Sequence, residues 1–213
     1  MRSAAFALAA WGAACAPALA GAWPQPRGDA QVIMKWERMQ ADQAFDPDGL
    51  LVDLAVPRED EALSLYGEYG LTDRLTLVGR TEWQSGEDQF ADYSGRGPSE
   101  IGLRYTAWRD ERTSVAVQGV YAAPGEGRNA GYAAPGEGEG DWEIRLLAGR
   151  SGQMKRLWRG APVFAELQAA RRFRAGLPDE TRLDATVGVD ISENWSLMSQ
   201  VFAGQGDGEF GPR

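Results

Sequence analysis

From Glu61 onward the chain repeats one pattern, a run of about ten residues in which apolar and polar side chains alternate, followed by a polar turn. Successive side chains of a strand point to opposite faces, so each such run reads as a two-faced β-strand. In Glu61 to Leu71, Leu63, Leu65, Tyr69 and Leu71 share one face, with Ser64 and Glu68 on the other. Leu75, Leu77 and Trp83 then oppose Arg74, Thr76, Arg80 and Glu82; Ile101, Leu103, Tyr105 and Ala107 oppose Glu100, Arg104 and Thr106. The pattern continues through Val115 to Tyr121, Trp142 to Ala148, Val163 to Ala169, Leu183 to Val189 and Trp195 to Val201. With Gln31 to Gln40, whose alternation is weaker, this makes about nine strands. Apolar residues at a spacing of two would scatter around a helix, so a helical fold is excluded.

Alternation does not say which face meets water. A soluble β-sandwich, or a lipocalin-like barrel, turns the apolar set inward; an outer-membrane barrel turns it outward to lipid. Three features favour the membrane. Trp36, Trp83, Trp108, Trp142 and Trp195 recur near strand ends, where an aromatic girdle sits. Gly67, Gly79, Gly119, Gly149 and Gly188 fall within strands, as at the bends of barrels. The connections also alternate in length. With the N-terminus on the periplasmic side, residues 42–60, 85–98 and 123–140 read as long outer loops, and 71–74, 109–112 and 191–194 as short turns, with intermediate connections at 152–159 and 174–180. The loop at 123–140 holds a direct repeat, Tyr121 to Gly127 and again Tyr132 to Gly138, a local duplication too short for a solenoid. The long loops are acidic, and none has the spacing of an EF-hand calcium loop.

Export is written at the N-terminus. Arg2, the apolar stretch Ala4 to Ala14 and the small-x-small site Ala18-Leu19-Ala20 make a secretory signal peptide over residues 1–20, leaving 21–213 as one β-barrel domain that begins Gly21-Ala22-Trp23. The apolar stretch is too short for a membrane anchor helix, which needs about 20 residues. A lipoprotein signal at Cys15 lacks the usual aliphatic residue in Gly12-Ala13-Ala14. The formal charge is -9, and loss of Arg2 with the leader makes it one unit more negative. That balance does not suit nucleic acid. The chain has no histidine, and Cys15 is its one cysteine. A Ser-His-Asp triad and a His-ligated metal site are therefore impossible, and the mature chain forms no internal disulfide. No enzymatic activity and no cofactor are expected.

Two stretches carry a resemblance. The start Gly21-Ala22-Trp23-Pro24-Gln25-Pro26-Arg27-Gly28, followed by Gln31-Val32-Ile33, resembles proteobacterial outer-membrane proteins of the XagA-like kind. The run Tyr69-Gly70-Leu71-Thr72-Asp73-Arg74-Leu75-Thr76-Leu77, then Glu100 to Tyr105 and Tyr121-Ala122-Ala123-Pro124-Gly125, is similar to the transporter family of the MetA pathway of phenol degradation. The resemblance implies an outer-membrane barrel with a role in the passage of small molecules.

The expectation is thus an all-β, antiparallel transmembrane β-barrel of the outer membrane, with lipid and a small-molecule substrate as its partners and no nucleic acid. Nine strands are an odd number, whereas single-chain bacterial barrels are even. The chain ends Phe210-Gly211-Pro212-Arg213 without a closing strand. Either one to three C-terminal strands are missing, or Gly49 to Ala55 is a further strand. Arg74, Arg80, Glu82, Glu100, Arg104, Glu143, Arg145, Glu166, Arg172, Arg182 and Asp184 are expected to face the lumen, with Asp190 beside them. There they either set the selectivity of a wet pore or pair across strands and fill a narrow one. A filled barrel would act as a structural or surface-interaction protein. A soluble periplasmic ligand-binding barrel is the remaining alternative.

Overall fold

The computed structural model describes residues 21–46, 49–87, 92–125, 140–154, 160–175, 177–192 and 195–208. The expected signal peptide, most of the repeat loop and the terminal Phe210 to Arg213 lie outside these residues. Every regular element described is a strand: β1 (Ala30–Phe45), β2 (Leu51–Gly70), β3 (Leu75–Glu87), β4 (Asp92–Arg96), β5 (Ser99–Arg109), β6 (Thr113–Ala123), β7 (Asp141–Gln153), β8 (Pro162–Phe173), β9 (Glu180–Ser192) and β10 (Trp195–Gly206). All pair antiparallel in one sheet of order β1-β2-β3-β5-β6-β7-β8-β9-β10, each strand beside its sequence neighbour except for the short β4, which pairs with β3 alone. The nine strands of this path are the nine that the alternation predicts.

Two connections differ from expectation. Residues 42–60 are not a loop. Phe45 pairs with Leu51 and Ala41 with Arg58, so β1 and β2 run on as a two-stranded ribbon, closed over Asp46 to Leu50. Gly49 to Ala55 is accordingly no separate strand, because β2 starts at Leu51. Residues 85–98 likewise contain β4, which pairs with Trp83 to Glu87 while β5 pairs with Leu75 to Arg80. Acidic and proline-bearing segments read as loops from composition, yet a paired hairpin satisfies their backbone as well as water does. The sheet is not closed. Among the described residues β1 and β10 each pair with a single neighbour and not with each other.

The sheet settles which face is buried. Leu63, Leu65, Tyr69, Ile101, Leu103, Tyr105, Ile144, Leu146, Leu167, Leu183 and Val187 are exposed. On the other face Ser64, Glu68, Thr76, Glu82, Arg104, Thr106, Ser114, Asp141, Glu143, Glu166 and Arg172 are buried. A soluble fold has the reverse arrangement, because burying charge is costly and burying apolar surface is favourable.

The outward aromatics gather toward the two ends of the strands. Trp36 pairs with Leu63 and Leu63 with Trp83 across β1, β2 and β3. Tyr121 and Trp142 pair across β6 and β7 with ring centroids 5.0 Å apart, and Phe173 pairs with Trp142 on the far side. These lie toward the long-connection end, whereas Trp108 and Trp195 lie at the short-turn end. Trp108 is level with Ala148, six positions along β7 from Trp142, so these two tryptophans are about 20 Å apart along the strands.

The short turns are held by their own side chains. In the β5–β6 turn Asp110 Oδ1 accepts hydrogen bonds from the Arg112 N–H at 2.8 Å and the Thr113 N–H at 2.7 Å. Those two donors hold its carboxyl below the ordinary aspartate range. A depressed folded-state pKa contributes stability above the unfolded value and loses it as pH falls through the folded one. Asp110→Asn is therefore expected to lower the unfolding midpoint at neutral pH. The difference from the parent should fade at pH values below the ordinary aspartate pKa of about 3.9, as read by thermal melts over a pH series.

Candidate functional site

Charged side chains at alternate positions of facing strands make a polar surface, and here they are joined into networks on the buried face. All the expected site residues except Arg74 belong to it. Arg74 sits in the exposed turn before β3, where it contributes its carbonyl to the Thr106 N–H at 2.8 Å. Its side chain is exposed and enters none of these networks.

Toward the long-connection end Arg172 of β8 is the hub. Its guanidinium reaches Asp141 at 3.1 Å, Glu143 at 3.9 Å and, across the face, Glu100 of β5 at 3.1 Å. Arg182 of β9 completes this layer, 3.3 Å from Glu143 and 2.8 Å from Glu180. One level down, Arg145 bridges Glu143 at 2.9 Å and Asp184 at 2.6 Å. It also donates to Gln168 at 2.5 Å. On β3 Glu82 accepts from Arg80 at 2.8 Å, from Ser64 at 2.9 Å and from Gln84. Asp190 accepts from Ser196 Oγ at 2.7 Å.

At the short-turn end the network encloses a piece of the chain itself. Residues Gly21 to Gly28 precede β1 and run across the buried face as a strap. The Ala22 N–H donates to Glu166 of β8 at 2.6 Å, and the Ala22 carbonyl accepts from Ser114 of β6 at 2.7 Å. The Trp23 carbonyl accepts from Arg104 of β5 at 3.2 Å. The Gln25 N–H donates to Thr76 of β3 at 3.1 Å, and its side chain donates to Glu68 of β2 at 3.2 Å and Gln31 of β1 at 3.1 Å. The strap leaves the face where Gly28 N–H donates to the Gly70 carbonyl at 2.8 Å. Pro24 and Pro26 suit this path, since they hold the chain extended and remove donors that the inner face could not all satisfy.

Arg104 is the centre of this end. Its side chain is 1% exposed and grips Glu68, itself 6% exposed, through two bonds of 2.8 and 2.5 Å. Tyr66 donates to the same carboxylate at 2.5 Å. At this end a small apolar cluster is buried as well, Ala22, Ala116 and Leu147 with Trp23 against it. Trp23 lies flush on Gly149, where a β-carbon would strike the indole ring.

Sequence reasoning named the outer layer well and the strap layer poorly. Asp141 and Gln168 were legible by parity, two positions from Glu143 and from Glu166. Glu68 was placed on the polar face without a role. Ala22, Trp23 and Gln25 carried no periodic signal. Among the described residues no group of three or more acidic or sulfur-bearing side chains is arranged to hold a metal ion. No known protein family, curated protein or solved structure matches this chain.

Removing one member of a buried ion pair strands the other. Arg104→Met is expected to cost about 3–5 kcal/mol in unfolding free energy, with much of the loss recovered by adding Glu68→Gln. Gly149→Ala should cost about 1–3 kcal/mol by overpacking the indole. In a Trp23→Ala background the same substitution should cost nothing, which a double-mutant cycle in denaturant checks.

Proposed function

We propose that this chain forms a transmembrane β-barrel of the bacterial outer membrane that passes small polar molecules along its charged inner face, after cleavage of the N-terminal leader. The observation that carries this reading is the inverted polarity of the sheet, with exposed apolar side chains outside and buried ionised ones inside. Water rewards neither arrangement, whereas lipid rewards the first and a hydrated interior the second. The exposed aromatics toward both ends of the strands fit the interfacial girdles of such a barrel. In lipid the free edges of β1 and β10 need backbone partners, since each unsatisfied group there costs several kcal/mol. Barrel closure is therefore part of the proposal.

The strap and the ion pairs favour a second reading, a barrel whose interior is filled and carries no solute. The two part on conductance. The whole gene product, refolded into a planar bilayer, is expected to give discrete current steps that scale with salt. Gly149→Leu, which unseats Trp23, should raise the fraction of time spent open. Inserted protein silent in both forms would establish the filled barrel. Recovery of the native protein in the soluble periplasmic fraction would overturn both readings in favour of a ligand-binding barrel.

A further inference from the structure

The strap layer holds two buried carboxylates and one arginine. Arg104 is committed to Glu68 by two hydrogen bonds. Glu166, 6% exposed, accepts hydrogen bonds only from uncharged donors among the described residues, the Ala22 N–H and the Gln168 amide. A buried carboxylate without a cation of its own is unfavourable. The groups facing it from the packed elements are Gln168 on β8, Ser114 on β6, Arg104 on β5, and Glu68 and Tyr66 on β2, with Arg145 of β7 engaged through Gln168. Counting these at neutral pH, the strap end is one positive charge short.

That charge is available one residue away. A substituent placed on the Gly21 α-carbon would lie 3.5 Å from Glu166 Oε1, 3.5 Å from the Gln168 amide nitrogen and 3.5 Å from Arg104 Nη1. The amino nitrogen of Gly21 is also one bond from that carbon. We propose that Glu166 is the receptor for the α-ammonium group created when the leader is cleaved after Ala20. This rests on the export reading above. In the cleavage, water adds across the Ala20–Gly21 peptide bond. Ala20 keeps the new carboxylate, and the Gly21 nitrogen takes a proton to become the ammonium. Before cleavage the same nitrogen is a neutral amide and brings no charge. Maturation thereby supplies the missing counter-ion and locks the strap.

The test uses the gene product extracted from outer membranes, carrying Lys35→Arg and Lys155→Arg so that no lysine of residues 21–213 competes with the α-amine, which is followed by mass spectrometry of the N-terminal peptide. N-terminal sequencing comes first. A start other than Gly21 would sink the export reading, and this proposal with it. Given a Gly21 start, the rate of acetylation by an activated acetate ester is followed from pH 6 to 10 in folded and in urea-unfolded protein. The unfolded amine should titrate in its ordinary range of about 7.7–8.0. In the folded protein the midpoint should lie at least one unit higher, making acetylation at pH 8 slower by roughly tenfold or more. Glu166→Gln should return the folded midpoint to the ordinary range while leaving the unfolded curve unchanged. An ordinary midpoint in the folded native protein would overturn the pairing, and so would a raised midpoint that survives Glu166→Gln. Should Glu166→Gln fail to fold, the folded-against-unfolded comparison in the parent decides alone.

Discussion

The paired hydrogen bonds between Arg104 and Glu68 are the interaction on which the rest of the inner face depends. An ion pair taken out of water is tolerable only when its remaining donors and acceptors are also occupied. Here the occupants come from two sources. The sheet supplies Tyr66, and the strap supplies the Trp23 carbonyl and the Gln25 side chain. Arg104 Nε alone of this group stays buried without a partner, and the strap supplies bonds that the sheet does not, so the strap is a structural part of the sheet. The parallel bridge at Arg27 and Gly70, where a β-carbon would run into the Pro26 backbone, fixes where the strap turns into β1.

From that layer upward the inner face is organised by charge instead of volume. Arg145 and Arg172 each serve carboxylates on more than one strand, so the alternating signs along β7, β8 and β9 become a lattice. Such a lattice resists collapse, because every side chain has an ionic reason to stay extended. The exposed side is simpler. It needs only apolar surface of the right height, and alternation delivers it with little regard to which aliphatic residue stands where. The edge strands β1 and β10 are exposed on both faces, and their pattern is correspondingly mixed: Ile33 and Phe202 sit on the face where their neighbours are polar.

Much of this was legible in the residues. Strand parity from Glu61 to Val201 placed Glu82, Glu143, Glu166, Arg172 and Arg182 on one face without any structure, because a period of two leaves a side chain no third direction. Composition misled at the β1–β2 ribbon and at β4, where acidic, proline-bearing segments concealed backbone pairing. Composition reports what a segment's side chains prefer. It carries no information on whether a partner strand lies alongside.

By itself, then, the sequence determined the element type, the order of the nine long strands and which side chains share a face, since all three follow from local periodicity and short turns. Only the tertiary structure decided which face is buried, which arginine takes which carboxylate, and where Gly21 to Gly28 runs. Alternation is symmetric between its two faces, and ion pairs such as Glu100 with Arg172 join residues far apart in the chain. The strap has no period at all. Its place is set by the sum of single hydrogen bonds to strands from β1 to β8, and no local pattern encodes that sum.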